Sequence, residues 1–161
     1  MEKEGIEINY DKGKEARVWQ RVQNEAQQEQ GGRPAENLPA LIMEYLQLAA
    51  AYRQLSQRLN GKDGTTLIRL AREANAQAVC LKGILSLMRG GTPNIAGVSQ
   101  QQSNTDVILR RCYGAELRLL KACENRCTDP EYGPVFDRLA ARSREHCCAL
   151  MELIGKVGKM N

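Results

Sequence analysis

Apolar residues recur along this chain at alternating steps of three and four, the spacing of one buried helix face, in four separate runs. The first predicts a helix from about Ala35 to Leu59. Its seam is Leu41, Tyr45, Leu48, Tyr52, Leu55 and Leu59, and Asn60-Gly61 supplies a C-terminal stop. The second starts at Thr65 or Thr66, both good N-caps, and runs to about Arg89, just before Gly90-Gly91. Leu67, Leu70, Ala74, Gln77, Leu81, Ile84 and Met88 form its seam. The third covers about Asp106 to Cys127 through Leu109, Tyr113, Glu116, Leu120, Cys123 and Cys127. The fourth begins at Pro134, placed for a first helical turn, and ends at Gly155; Val135, Leu139, Arg142, His146, Ala149 and Leu153 line it.

The connections set the topology. A short turn joins the first helix to the second, and TDPEYG joins the third to the fourth. Between these hairpins lies GGTPNIAGVSQQQSNT, about sixteen residues, a loop too long for a compact domain without a topological reason. A crossover along the length of a four-helix bundle is such a reason. Residues 1–35 read as an N-terminal arm or short helix, in which Val18, Trp19 and Val22 make a small apolar face; 36–155 as the bundle; 156–161 as a short basic tail. Aromatic residues make up only 4% of the 161 positions, which disfavours sheet. The expected class is all-α.

Charge changes this picture little. The formal net charge is +4, with cations interspersed among acids. A nucleic-acid groove calls for clustered cations with stacking aromatics, so no nucleic-acid role is expected. No run approaches the ~20 apolar residues of a membrane span, and the charged start MEKEGIEINYDKGKE lacks the apolar segment of a signal peptide. The expectation is a cytoplasmic protein whose six cysteines are thiols.

The polar exceptions in the seams carry the candidate chemistry. Leu70-Ala71 of the second helix matches Leu139-Ala140 of the fourth; three residues on, Ala74 matches Ser143, and three further, Gln77 matches His146. Glu44 and Glu116 occupy the partner positions in the first and third helices. Each half is therefore a hairpin with a glutamate on its first helix and an i, i+3 pair on its second. A dinuclear iron or manganese site in a four-helix bundle draws one Glu from each of two helices and a Glu-x-x-His pair from each of the others. That spacing sets carboxylate and imidazole about one turn apart on one face.

On LIMEYLQLAAAYRQL, LAREANAQAVCLKGI, YGAELRLLKACE and DPEYGPVFDRLAARSREHC, residues 36–155 resemble the ferritin-like superfamily, nearest to its rubrerythrin-type diiron bundles. The resemblance implies a homodimer, with the Trp19 arm as a candidate contact. It matches Glu44 and Glu116 to the family's single glutamates and His146 to one histidine. Ala74 and Ser143 replace the paired glutamates, and Gln77 replaces the other histidine. No Cys-x-x-Cys pair is present to hold a rubredoxin-type iron.

Two functions follow as expectations. In the first, the dimetal site is degenerate: Glu116, His146 and Gln77 form a hydrogen-bonded polar layer, and the role is structural, regulatory or interactive. A buried carboxylate without a donor costs several kcal/mol, so Gln77, His146, Tyr52 or Tyr113 must supply one to Glu116. In the second, Glu44, Glu116 and His146 hold iron or manganese at partial occupancy for oxidoreductase chemistry, with Glu73, off the seam one turn before Gln77, as a further ligand. The cysteines do not point to zinc, and a redox role for Cys112 beside Cys147 or Cys148 has no neighbouring motif that would lower a thiol pKa. Cys123 and Cys127 lie about three turns from His146 along the hairpin, and seam cysteines usually act as small buried apolar residues.

Overall fold

Helix α1 spans Pro34–Arg58, α2 Gly61–Arg89, α3 Thr105–Glu124 and α4 Gly133–Met160. The structure is a computed structural model that describes residues 34–89, 97 and 102–160. No strand occurs among these residues, so the described part of the chain is all-α. Most of the expected arm, with Val18, Trp19 and Val22, and most of the expected crossover lie outside the described residues.

Side-chain pairs fix the helix directions within the unit 38–161. Between α1 and α3, Glu44 meets Arg118, Tyr52 meets Glu116 and Arg58 meets the Ser103 carbonyl, so these helices are antiparallel. Between α3 and α4, Arg144 meets Glu124, His146 meets Glu116 and Tyr113 meets Met151, again antiparallel. Between α2 and α4, Asp63 meets Lys156 and Glu73 meets both Arg142 and His146, also antiparallel. It follows that α2 and α3 run parallel, and that Arg89 and Thr105 lie at opposite ends of the bundle.

The core forms where the seams meet. Leu38, Ile42, Tyr45, Tyr52 and Leu55 of α1 are fully buried, as are Leu67, Leu70, Ala74, Ala78 and Leu81 of α2. Leu109, Leu119 and Cys123 of α3 and Ala140 and Leu150 of α4 complete it. Burying each large aliphatic side chain contributes about 1.5–3 kcal/mol. Two seams are turned relative to expectation. On α3, Cys112 and Leu119 are buried where Tyr113 and Leu120 are only partly so; on α4, Ser143 is buried and Arg142 is exposed. Met88, at the end of the α2 seam, is also exposed.

Helix ends differ for local reasons. The α1 stop is formed by Gly61, whose φ of 63° lies in the left-handed region that glycine enters without a Cβ penalty. Helix α2 begins at that residue rather than at the threonines, and Thr65 instead donates its hydroxyl to the Gly61 carbonyl. Helix α3 ends at Glu124, three residues early: Asn125 still bonds four residues back to Lys121, but Arg126 and Cys127 tighten onto the Cys123 and Glu124 carbonyls three residues back. Helix α4 does not stop at Gly155. Val157 is buried and Lys156 donates to Asp63 at 2.9 Å, which holds the expected tail in the helix through Met160.

The α3–α4 turn is closed by Asp129, whose Oδ1 accepts the Glu131 and Tyr132 amides at 2.8 and 2.7 Å. Gly133 then packs its Cα against the Cys127 carbonyl oxygen so closely that an added Cβ would collide with backbone. Gly133→Ala is therefore expected to lower the unfolding free energy by about 1–3 kcal/mol, measured by urea denaturation. An unchanged midpoint would show that the turn yields freely.

Candidate functional site

Glu116 of α3 and His146 of α4 are both fully buried in the middle of the bundle. His146 Nδ1 lies 2.8 Å from Glu116 Oε1, and its Nε2 lies 2.9 Å from Glu73 Oε1 on α2. Tyr52 of α1 donates its hydroxyl to the same Glu116 Oε1 at 2.6 Å, the length of a charge-assisted bond. A continuous chain thus runs Tyr52–Glu116–His146–Glu73, taking one side chain from each helix. It passes from the closed interior to a carboxylate at the surface, where Arg69 at 3.0 Å and Arg142 at 2.7 Å grip Glu73. The Tyr52 ring also stands edge-on to the imidazole, at 88°.

The electrostatics follow from this order. Both imidazole nitrogens face carboxylate oxygens, an arrangement that calls for two N–H donors and so for the charged ring. Burial is the largest single influence on His146 and works against that charge. Glu116 and Glu73 together outweigh it and raise the pKa above 6.5. Burial likewise opposes ionisation of Glu73, yet the His146 bond and the charges of Arg142, His146 and Arg69 hold its pKa below 4.5. Burial first, and then the Glu116 charge, push the Tyr52 phenol well above 10, so it remains a donor.

A second polar layer lies towards the α3–α4 turn. The Tyr45 hydroxyl is 3.6 Å from Cys123 Sγ, and burial raises both groups, the thiol to about 11. Gln77 is buried with neither amide atom hydrogen-bonded to a described residue, and Glu116 Oε2 is likewise without a partner.

The six positions singled out from sequence divide clearly. Glu116 and His146 meet directly. Ala74, Gln77 and Ser143 are all in the core around them. Glu44 does not join them: it faces the groove between α1 and α3 and binds Arg118 at 2.7 Å. Of the candidate donors to Glu116, Tyr52 and His146 serve, whereas Tyr113 points at Met151 Sδ, 3.7 Å away, and the Gln77 amide, expected in the same layer, does not bond to Glu116. Glu73 is the off-seam carboxylate one turn before Gln77 that the sequence offers as a further ligand. Its reach to the imidazole edge, held by Arg69 one turn earlier, is what the heptad pattern alone did not reveal.

These residues do not fit the dimetal centre that the family resemblance implies. A ring nitrogen ligates a metal through a free lone pair, and both His146 nitrogens are engaged by carboxylates. Ala74 has no donor atom, and Glu44 faces the outer groove beside Arg118 rather than Glu116 and His146. Among the described residues no group of three or more His, Cys, Asp and Glu side chains is arranged to hold a metal ion.

The thiols offer no reactive centre in the core. All six cysteines are free. Burial, reinforced by Glu116, raises Cys112 to about 12 and Cys147 to about 11, so both stay protonated and poorly nucleophilic. Cys127 is also raised, by burial and then by Asp137, towards which its thiol points at 3.8 Å.

No helix among the described residues is long and apolar enough to cross a membrane. No protein-family model, no curated protein and no solved structure matches this chain.

Proposed function

We infer that this chain is a ferritin-like bundle, related to the rubrerythrin type, in which a hydrogen-bonded chain replaces the dimetal layer. It acts as a structural, regulatory or interaction module rather than as an oxidoreductase. One observation carries this reading: both His146 nitrogens are taken by Glu116 and Glu73. The parallel course of α2 and α3, which a lengthwise crossover requires, supports the ferritin-like topology. Ion pairing within the layer does the work of charge neutralisation that cations do in a metal-bearing bundle, since an unpaired buried charge is strongly unfavourable.

The test is metal content per chain after anaerobic loading with Fe(II), Mn(II) or Zn(II) and desalting, beside a His146→Ala/Glu116→Ala control. Content near zero in both proteins is the expected result. One or more tightly held ions, lost in the control, would overturn the reading. It would restore an iron- or manganese-dependent oxidoreductase drawing on Glu44, Glu116 and His146, and peroxide or oxygen turnover would then be the assay.

A further inference from the structure

Along the side of the bundle, α1 and α3 leave an open groove of about 530 Å³. Its floor is apolar and low: Leu48 and Ala51 from α1, Gly114 and Ala115 from α3. One wall carries Arg110, Arg111 and Arg118, all exposed on α3, of which Arg111 already donates to Ser103 Oγ at 3.0 Å; among the described lining residues Glu44 is the one carboxylate. The lining residues on α3 run from Val107 to Arg118 at helical spacing, a length of roughly 17 Å at 1.5 Å per residue.

We propose that this groove docks an acidic amphipathic helix of a partner protein. It rests on the reading of the bundle as an interaction module and names the class of partner. Three features favour a helix over a small anionic molecule. The groove is open along its length, whereas a small-molecule pocket encloses most of its ligand. Two helix faces set side by side are the template into which a third helix packs, with axes about 8–10 Å apart and the closest approach where the contact residues are small. Ala51, Gly114 and Ala115 meet that condition. The charge selects the partner's sign: Arg110 and Arg118 flank the floor, so glutamates or aspartates beside an apolar stripe would pair with Arg110 and compete for Arg118 with Glu44, which holds it at 2.7 Å.

Gly114 provides the means of closing the groove. A Cβ added there would meet nothing nearer than Arg118 Nη1 at 3.7 Å, so a larger side chain enters the groove without disturbing the core.

The experiment uses the full chain and a labelled synthetic peptide with leucine and alanine on one helical face and glutamate on its flanks. A counterpart with lysine for glutamate is the control, and binding is followed by fluorescence anisotropy. The acidic peptide is expected to bind saturably and at least tenfold more tightly than the lysine peptide. Gly114→Leu and, separately, Arg110→Glu/Arg118→Glu should each weaken it at least tenfold, with circular dichroism showing unchanged helix content. Equal binding of both peptides, no binding, or indifference to both variants would overturn the proposal. So would sedimentation showing a dimer that Gly114→Leu dissociates, since the occupant would then be a second copy. Metal-free protein that ignores the peptide would overturn the groove alone; tightly held metal would overturn the module reading whatever the peptide does.

Discussion

Replacing His146 by leucine is expected to lower the unfolding free energy by about 3–5 kcal/mol, the range for removing one partner of a buried ion pair. The volume of the side chain is nearly kept, so packing is not the main loss. What changes is Glu116, fully buried, which would retain only the Tyr52 hydroxyl as a donor. At roughly 3–5 °C per kcal/mol for a domain of this size, the melting temperature should fall by about 10–20 °C. A second substitution identifies the cause. In His146→Leu/Glu116→Gln the buried charge is gone while the Tyr52 bond can persist, and more than half of the lost stability should return. Urea denaturation of the wild type, both single variants and the double variant closes the cycle. A loss below about 1 kcal/mol in His146→Leu, or no recovery in the double variant, would show that the imidazole does not neutralise Glu116.

The stability of the chain should also peak in mildly acidic solution. A histidine whose folded pKa is raised contributes stability that is complete below its unfolded value, 6.5, and is lost as pH rises through the folded value. Glu73 has the opposite sign: its lowered pKa contributes stability above 4.5 that is lost as pH falls through the folded value. Together they place the optimum between pH 4.5 and 6.5. Melting temperatures taken from pH 5.5 to 8.5 should therefore decline, and the decline should flatten in His146→Leu. The range stops at 8.5 because the raised thiols of Cys112, Cys123 and Cys147 begin to contribute in the same direction above their ordinary value of 9. A wild-type stability that is flat or rising across this range would contradict the carboxylate–imidazole–carboxylate arrangement.

Periodicity in the sequence was enough to locate the helices and to put Glu116 and His146 on core-facing positions. It was less able to set the rotation of each helix. A step of one residue turns a side chain by about 100°, and that step separates Arg142 from Ser143 on α4. It also separates Glu44 from Tyr45 on α1: Tyr45 is fully buried, whereas Glu44 turns out to the groove. Glu73 illustrates the complementary difficulty. Its backbone position is on the flank, but a long side chain anchored by two arginines can lean across to the imidazole. Helix ends were legible where a backbone requirement marked them, as at Gly61. Gly155 carried the same letter without the requirement, because packing of Val157 and the Lys156–Asp63 pair continue the helix past it.

The order of partners in the central chain has a consequence for how the two halves of the molecule recognise each other. Tyr52 and Glu73 belong to the first hairpin, Glu116 and His146 to the second, and two of the three links cross between them. Two copies of the first hairpin would bring together Glu73 and Tyr52 with no imidazole between them. Two copies of the second would bury two Glu116–His146 pairs without the tyrosine or the outer carboxylate. Despite their similar sequence patterns, the halves are thus non-interchangeable. The mixed pairing leaves the buried imidazole with an acid on each side.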